Sequence, residues 1–209
     1  FAVILTACQA ARNAAKLPAS ALKAVIEQAR GSEHPLYEAA LDYLGVGLPH
    51  EAVAVLESIP DAGPIVCFQL AWIKDRLGLA KESAALLRKA CAADPAYHHA
   101  WHPETARALE WAVERLPKEP RPAWHLGNLL MARRRTEEAI ALWRKAEELG
   151  EKHYLLFCNL GYYEKNVSKD RERTLAYFRK AEAAPGSDLY VIHEVYEALC
   201  ALGRKAEAV

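Results

Sequence analysis

Residues 124–130 read Trp124-His125-Leu126-Gly127-Asn128-Leu129-Leu130, and Ala139, Trp143 and Ala146 follow them at intervals of four and three residues. A second Leu-Gly pair, Leu160-Gly161, stands 34 residues after the first and opens a similar pattern. Sequence similarity at a fixed period of roughly 20–50 residues is typical of repeat proteins. Small residues let two antiparallel helices approach closely, and large apolar residues interlock between them. The pattern therefore predicts a helix-turn-helix unit that occurs at least twice in succession.

This pattern resembles the tetratricopeptide repeat (TPR). The resemblance extends back to Leu70-Ala71, which Leu87, Ala90 and Pro95 follow at the offsets of that family, with Ser83 in place of its first small residue. It is closest over residues 64–95 and 120–186, and it is looser over residues 33–59 and 189–209. The resemblance implies consecutive helical hairpins over most of the chain.

Composition agrees with a helical repeat protein. The chain is 52% apolar and has only ten glycines in 209 residues, and it lacks the alternation of apolar and polar residues that predicts strands. Each hairpin has two apolar faces and covers only one of them itself, so neighbouring hairpins must stack. We predict an all-α fold, an α-solenoid of antiparallel helix pairs that forms a TPR-like superhelix of about 11 to 12 helices.

The chain divides into four predicted parts. Residues 1–32 form an N-terminal helical pair, and residues 33–95 carry TPR-like repeats. Residues 96–119 contain an irregular connection and one extra helix near 104–116, and residues 120–209 carry further repeats, the last of them truncated. Because an unpaired helix reverses the alternation of chain direction, we expect the largest departure from regularity at the extra helix.

A closer resemblance appears around the extra helix. The segments Tyr97…His102-Pro103-Glu104-Thr105…Leu109-Glu110-Trp111-Ala112 and Trp124 to Trp143 are similar to the C-terminal helical region of large bacterial TPR proteins. Those proteins carry an N-terminal β-rich domain that resembles galactose mutarotase. The resemblance implies that this chain, which begins at Phe1, is a fragment. Where that family has an aromatic-Pro-aromatic-Arg stretch, this chain has His99-Ala100-Trp101-His102, so no role of that arginine carries over.

Charge and cysteine content limit the expected classes of binding partner and the expected cellular compartment. The 27 basic and 27 acidic residues are interleaved and give a net charge of zero, so we predict neither nucleic-acid nor membrane binding. The apolar run over residues 1–5 is too short to span a bilayer. The five cysteines are single and scattered, which is typical of buried residues in a reducing compartment and favours a cytoplasmic location.

A binding groove is the main functional prediction. In TPR hairpins the first helix of each unit lines the concave side, and the residues at four set positions of that helix point into the groove. An aromatic groove with a few polar groups suits an extended peptide or an amphipathic helix. We therefore predict a non-catalytic protein-protein interaction scaffold, although Trp72, Trp124 and Tyr162 have the alternative role of filling gaps between first helices. The predicted groove residues are Phe68, Trp72, Arg121, Trp124, Asn128, Tyr162, Lys165, Asn166, Tyr190, His193 and Glu197.

Other interpretations remain open from the sequence. The chain is alternatively an accessory or dimerisation module that packs against the upstream β-domain of its own protein. A second alternative is a metal or enzymatic site near His98–His102; however, that stretch lacks partner ligands at recognisable spacing, and Pro103 indicates a connecting segment. We accordingly predict no cofactor, no metal and no catalytic residue. The apolar residues of the last, unfinished hairpin predict a homodimer through the C-terminal end.

Overall fold

The computed structural model describes residues 19–29, 32–95, 100 and 102–207, and over these residues the chain is helical without a strand. This confirms the predicted all-α class. The described part has 11 α-helices, within the predicted number. The first helix of the predicted N-terminal pair lies outside the described residues. The helices are α1 (Ala19–Ala29), α2 (Glu33–Gly45), α3 (Pro49–Glu57), α4 (Pro64–Arg76), α5 (Ala80–Ala92), α6 (Pro103–Arg115), α7 (Pro120–Ala132), α8 (Thr136–Glu148), α9 (Tyr154–Tyr163), α10 (Arg171–Glu182) and α11 (Leu189–Ala201).

The chain separates into two units. Unit 1 contains the described residues 19–29, 32–95 and 102–115, and unit 2 contains residue 100 and residues 116–207. In unit 1, α2 pairs with α3 and α4 pairs with α5, while α1 packs on the first pair and α6 packs on α4. In unit 2, α7 pairs with α8 and α9 pairs with α10, and α11 packs on α10. Each unit is thus built from consecutive helical hairpins.

Turns at Gly47 and Gly78 connect the helices of the two hairpins of unit 1. Both residues have φ of 80°, the left-handed region that glycine enters without a steric penalty. The corresponding turns of unit 2 place Arg134 (φ 61°) and Lys169 (φ 58°) in this conformation. A side chain there costs roughly 1 kcal/mol, so the packing of the hairpins holds these two turns in place.

Small and large residues meet inside each hairpin of unit 2, as the repeat pattern predicts. A Cβ atom on Gly127 would lie 2.5 Å from Cδ1 of Trp143, and one on Gly161 would lie 3.0 Å from Cε1 of Phe178. Both aromatic rings are buried. The Leu-Gly pairs are therefore close-packing positions, where the missing side chain makes room for the ring of the second helix.

A π-helical segment, Glu164–Ser168, follows α9 directly. From Gly161 to Thr174 there are 13 positions, whereas from Gly127 to Ala139 there are 12. A π turn absorbs one extra residue without breaking the helix, so this segment restores the alignment between α9 and α10. Within it, Glu164 is buried, and its Oε1 atom accepts a hydrogen bond from Nη2 of Arg144 at 3.2 Å.

The extra helix predicted near residues 104–116 is present as α6. Its buried residues Ala108, Leu109 and Ala112 recur at three- and four-residue intervals and form one apolar face. The hydroxyls of Tyr37 on α2 and Thr105 on α6 are 2.7 Å apart in a hydrogen bond, and both side chains are buried. This bond fixes the start of α6 against α2.

The described cysteines are free thiols, and Cys67 and Cys158 are buried. Burial, reinforced by the negative charges of Asp188 and Glu194, raises the pKa of Cys158 to about 11. At pH 8 about one such thiol in a thousand is a thiolate, and the thiolate is the reactive form. We expect the alkylation rate of Cys158 by iodoacetamide to rise about tenfold per pH unit between about pH 8 and 10, as followed by peptide mass spectrometry. A rate that does not change over this range would contradict the assignment.

Candidate interaction surface

The last helix of unit 2, α11, begins at a well-formed cap. The carboxylate of Asp188 accepts hydrogen bonds from the backbone N–H groups of Tyr190 at 3.0 Å and Val191 at 3.2 Å, which satisfies donors that have no partner within the helix. On its inner side, Val191 joins a buried cluster with Phe157 and Cys158 of α9. Val195, Ala198 and Leu199 pack against α10 residues Leu175 and Phe178.

The outer side of α11 also carries large apolar residues. Leu189 is 83% exposed, Tyr190 58%, Ile192 51% and Tyr196 47%. Two further large apolar residues are exposed in the described part of the chain, Leu79 in unit 1 and Val167 in the π segment. We call Leu189, Tyr190, Ile192 and Tyr196 the α11 face. Contiguous exposed apolar residues mark interaction sites in soluble proteins.

Several predicted groove residues lie beside the α11 face. Nζ of Lys165 is 2.7 Å from Oε2 of Glu194, a largely buried carboxylate on α11. The ring of Tyr162 packs edge-on against Phe178, with 5.2 Å between ring centroids. Burial raises the pKa of Tyr162, and the nearby Tyr190 and Glu194 act in the same direction. Of the remaining predicted residues in this region, Asn166, His193 and Glu197 are exposed.

The polar edge of this region is basic. A shallow cavity of about 360 Å³ is lined by Lys165, Lys169, Arg171 and Glu197, among others. Nη1 of Arg171 donates a hydrogen bond to the carbonyl oxygen of Ala201 at 2.8 Å, near the end of α11. The repeat offsets did not identify Lys169 and Arg171, because Lys169 lies in the turn before α10 and Arg171 is the first residue of α10. Both residues are therefore outside the first helices of the hairpins.

Trp124 and its neighbours make internal contacts. Trp124 is 1% exposed, and its ring packs against His125 and His153 with centroid distances of 5.8 and 5.3 Å. The guanidinium of Arg121 lies over the same ring at 5.6 Å, and its Nε atom is 2.6 Å from Oε2 of the buried Glu151. In this structure Trp124 is therefore a packing residue, which is the alternative role that the sequence left open for it.

Asn128 joins two hairpins of unit 2. Its Oδ1 atom accepts hydrogen bonds from Nε1 of Trp143 at 3.0 Å and from Nδ2 of Asn159 at 3.2 Å. The predicted residues Phe68 and Trp72 belong to unit 1. Phe68 is fully buried, and Trp72 is partly buried with the guanidinium of Arg76 over its ring at 5.2 Å.

Sequence analysis also considered a metal or enzymatic site in the histidine-rich stretch His98–His102. His98 and His99 lie outside the described residues. His102 immediately precedes α6 and lies close to α2, where its ring centroid is 5.8 Å from that of Tyr37.

The described part of the chain is all-helical and is built from hairpins with left-handed turns and small-large pairs at Gly127 and Gly161. These hairpins resemble those of tetratricopeptide repeats. No helix in the described part of the chain has the length and the apolar character needed to cross a bilayer. No protein-family model matches the chain, and no curated protein matches it.

The chain is similar to several solved structures, among them the following three. The thermophilic TPR protein TTC0263 of Thermus thermophilus is 17% identical, with 85% of this chain and 86% of that chain covered and a TM-score of 0.43. MamA of Desulfovibrio magneticus RS-1 is 18% identical, with 73% and 94% covered and a TM-score of 0.35. BtubC of P. vanneervenii is 15% identical, with 90% and 84% covered and a TM-score of 0.43. These similarities assign no partner to this chain.

Proposed function

We propose that unit 2 is a protein-interaction module without catalytic activity, and that it binds an amphipathic helical segment of a partner protein on the α11 face. The supporting observation is the exposure of four large apolar side chains on one helix whose opposite side is already buried. A helix that serves only to close a core exposes polar residues on its outer side. The outer side of α11 instead has the composition of an interface centre.

The dimensions of the face favour a helical partner segment. α11 has 13 residues, which corresponds to a length of about 20 Å. A helix laid along it would place apolar residues at three- and four-residue intervals against Leu189, Ile192 and Tyr196. His193 and Glu197 are exposed beside them and would form part of a polar rim.

The charges beside the face favour an acidic partner. Lys169 and Arg171 lie near the C-terminal end of α11, in the same cavity as Glu197. Lys165 is already paired with Glu194, and Nη1 of Arg171 already donates to the carbonyl oxygen of Ala201. Of the cations that line this cavity, Lys169 and the other N–H groups of Arg171 therefore remain for a ligand carboxylate at that end. We therefore infer a partner segment that has an apolar stripe and at least one acidic residue at one end.

Peptide selection tests this proposal. The probe is a peptide selected on the immobilised protein from a phage-displayed random library about 15 residues long, which as a helix matches the length of α11. We expect the variant Tyr190→Ser/Ile192→Ser/Tyr196→Ser to bind that peptide about 10–100-fold more weakly, because it removes the apolar centre of the site. Fluorescence polarisation measures the affinity.

A matched control is Leu79→Ser, which removes an exposed apolar side chain from unit 1 and should leave peptide binding unchanged. Equal affinity of the wild-type protein and the triple variant would place the site elsewhere. Sedimentation velocity provides the other decisive result. If the protein forms a dimer that the triple variant dissociates, a second copy of the chain covers the α11 face and the proposed partner is wrong.

A further inference from the structure

Three possible metal ligands meet where α2 approaches the start of α6 in unit 1. His34 and Glu38 are one turn apart on α2, and Nε2 of His34 lies 3.6 Å from Oε1 of Glu38. Nε2 of His102 lies 3.6 Å from the same oxygen. One ligand atom from each of the three residues lies within 4.8 Å of the other two. Residues that are as much as 68 positions apart in sequence thus converge on one point.

The fold positions His102 through its neighbours. The backbone N–H of Thr105 donates to the carbonyl oxygen of His102 at 3.1 Å, and the Thr105 side chain is hydrogen-bonded to Tyr37 of α2. The Tyr37 hydroxyl also donates to Oε1 of Gln69 at 3.4 Å. This buried network connects α2, α4 and α6, so the position of His102 relative to His34 and Glu38 is set by the core of the unit.

The Nε2 atom of His102 is buried and makes no hydrogen bond to any residue that the structure describes. The nearest acidic oxygen, on Glu38, is 3.6 Å away, which is beyond the range of a hydrogen bond. A buried nitrogen without a partner is costly. An ion between the three side chains would give this nitrogen a partner.

The donor set has the chemistry of a transition-metal site. Two imidazole nitrogens and one carboxylate oxygen are a common ligand combination for Zn²⁺, with water in the fourth position. Ligand atoms bound at about 2.0–2.1 Å in a tetrahedron lie about 3.3 Å apart, so the two 3.6 Å separations need only small side-chain movements. The ligand nitrogens of His34 and His102, which lie within 4.8 Å of each other, must also approach. The side chains of His34 and Glu38 are 67% and 49% exposed, and they are free to make those movements.

The local charge favours a cation. Asp42 continues the helix face of His34 and Glu38, and Glu104 lies at the start of α6. Partial desolvation raises the pKa of Asp42, and the charges of Glu38 and Glu104 add to this effect, whereas His102 opposes it. Three carboxylates around two histidines give the region an excess of negative charge.

We propose that His34, Glu38 and His102 form a binding site for a divalent transition-metal ion of the Zn²⁺ class. The ion joins α2 to the start of α6 and stabilises unit 1, because a ligand that binds only the folded state raises the free energy of unfolding. Sequence analysis did not find the site, since its ligands belong to two distant segments and only His102 lies in the histidine-rich stretch.

Zinc titration of the protein tests the site. We expect one Zn²⁺ per chain, measured by competition with a chromogenic chelator, and a rise in the unfolding temperature that a chelator reverses. His34→Ala, Glu38→Gln and His102→Ala should each weaken binding about tenfold or more and remove most of the thermal shift. Mg²⁺ should produce neither effect, because it prefers oxygen ligands.

Two control variants complete the experiment. His50→Ala removes an exposed histidine from α3 of the same unit and should leave zinc binding intact. The variant His98→Ala/His99→Ala examines the stretch that the sequence singled out. If this variant abolishes binding while His34→Ala does not, the site lies elsewhere and the proposal is wrong. Absence of zinc binding by a wild-type protein with native circular dichroism would also overturn it.

Discussion

Replacing Gly127 with alanine is expected to lower the free energy of unfolding by about 2–3 kcal/mol, the cost of forcing an extra carbon into a packed core. The new Cβ would lie 2.5 Å from Cδ1 and 2.6 Å from Nε1 of Trp143. Trp143 is 4% exposed and its Nε1 atom donates to Asn128, so the ring would have to move and lose this hydrogen bond. Calorimetric thermal unfolding measures the effect.

A control and a rescue accompany this variant. Gly45→Ala also changes a helical glycine, but no atom lies within 4 Å of the added carbon, so the variant should be neutral or up to about 1 kcal/mol more stable. The double variant Gly127→Ala/Trp143→Leu reproduces the Ala71–Leu87 combination found at the same repeat positions of unit 1. It should recover much of the loss. If the changes in unfolding free energy of the two single variants add up to that of the double variant, the two positions do not share one space.

Truncating Phe178 to alanine is expected to cost about 3–5 kcal/mol, as for other fully buried aromatic residues. Its ring is 0% exposed, lies against Gly161 and forms an edge contact with Tyr162. It also packs with Val195 and Leu199 of α11. The substitution would therefore leave a cavity at the place where α10 supports α11.

The truncation of Phe178 should also make α11 more dynamic. At a temperature where Phe178→Ala remains folded, we expect amide hydrogen exchange to be faster than in the wild-type protein. The increase should be larger in α11 than in α7, because α11 loses part of its inner contact. Val167→Ala is the matched control, since Val167 is 55% exposed and its truncation should change stability by less than about 0.5 kcal/mol. Equal exchange rates in α11 of Phe178→Ala and the wild-type protein would show that Phe178 does not support that helix.

The repeat architecture was accessible from the sequence because its signal is periodic. The spacing from Gly127 to Trp143 is set by short-range geometry, and in the structure these two residues pack together inside one hairpin, as the repeat pattern predicts. The extra helix α6 was also visible, since its apolar residues follow the helical period. Local patterns of this kind do not depend on contacts with distant residues.

Other features depend on contacts that a period does not specify. The π segment arises from one extra residue, which a longer turn would accommodate equally well. Trp124 occupies a groove position of the repeat, yet it is buried because Arg121, His125 and His153 surround it. The approach of His102 to His34 depends on how α6 packs, and no sequence spacing encodes it. The division between groove and core residues therefore required the structure.

Nuclear magnetic resonance mapping of the selected peptide on the ¹⁵N-labelled protein tests the proposed interaction surface most directly. If the α11 face binds the peptide, the largest amide shift changes will lie in residues 189–197, with smaller changes in the π segment Glu164–Ser168. Shift changes confined to unit 1, or to the loops at the N-terminal ends of α7 and α9, would contradict the assignment of this face as the binding surface.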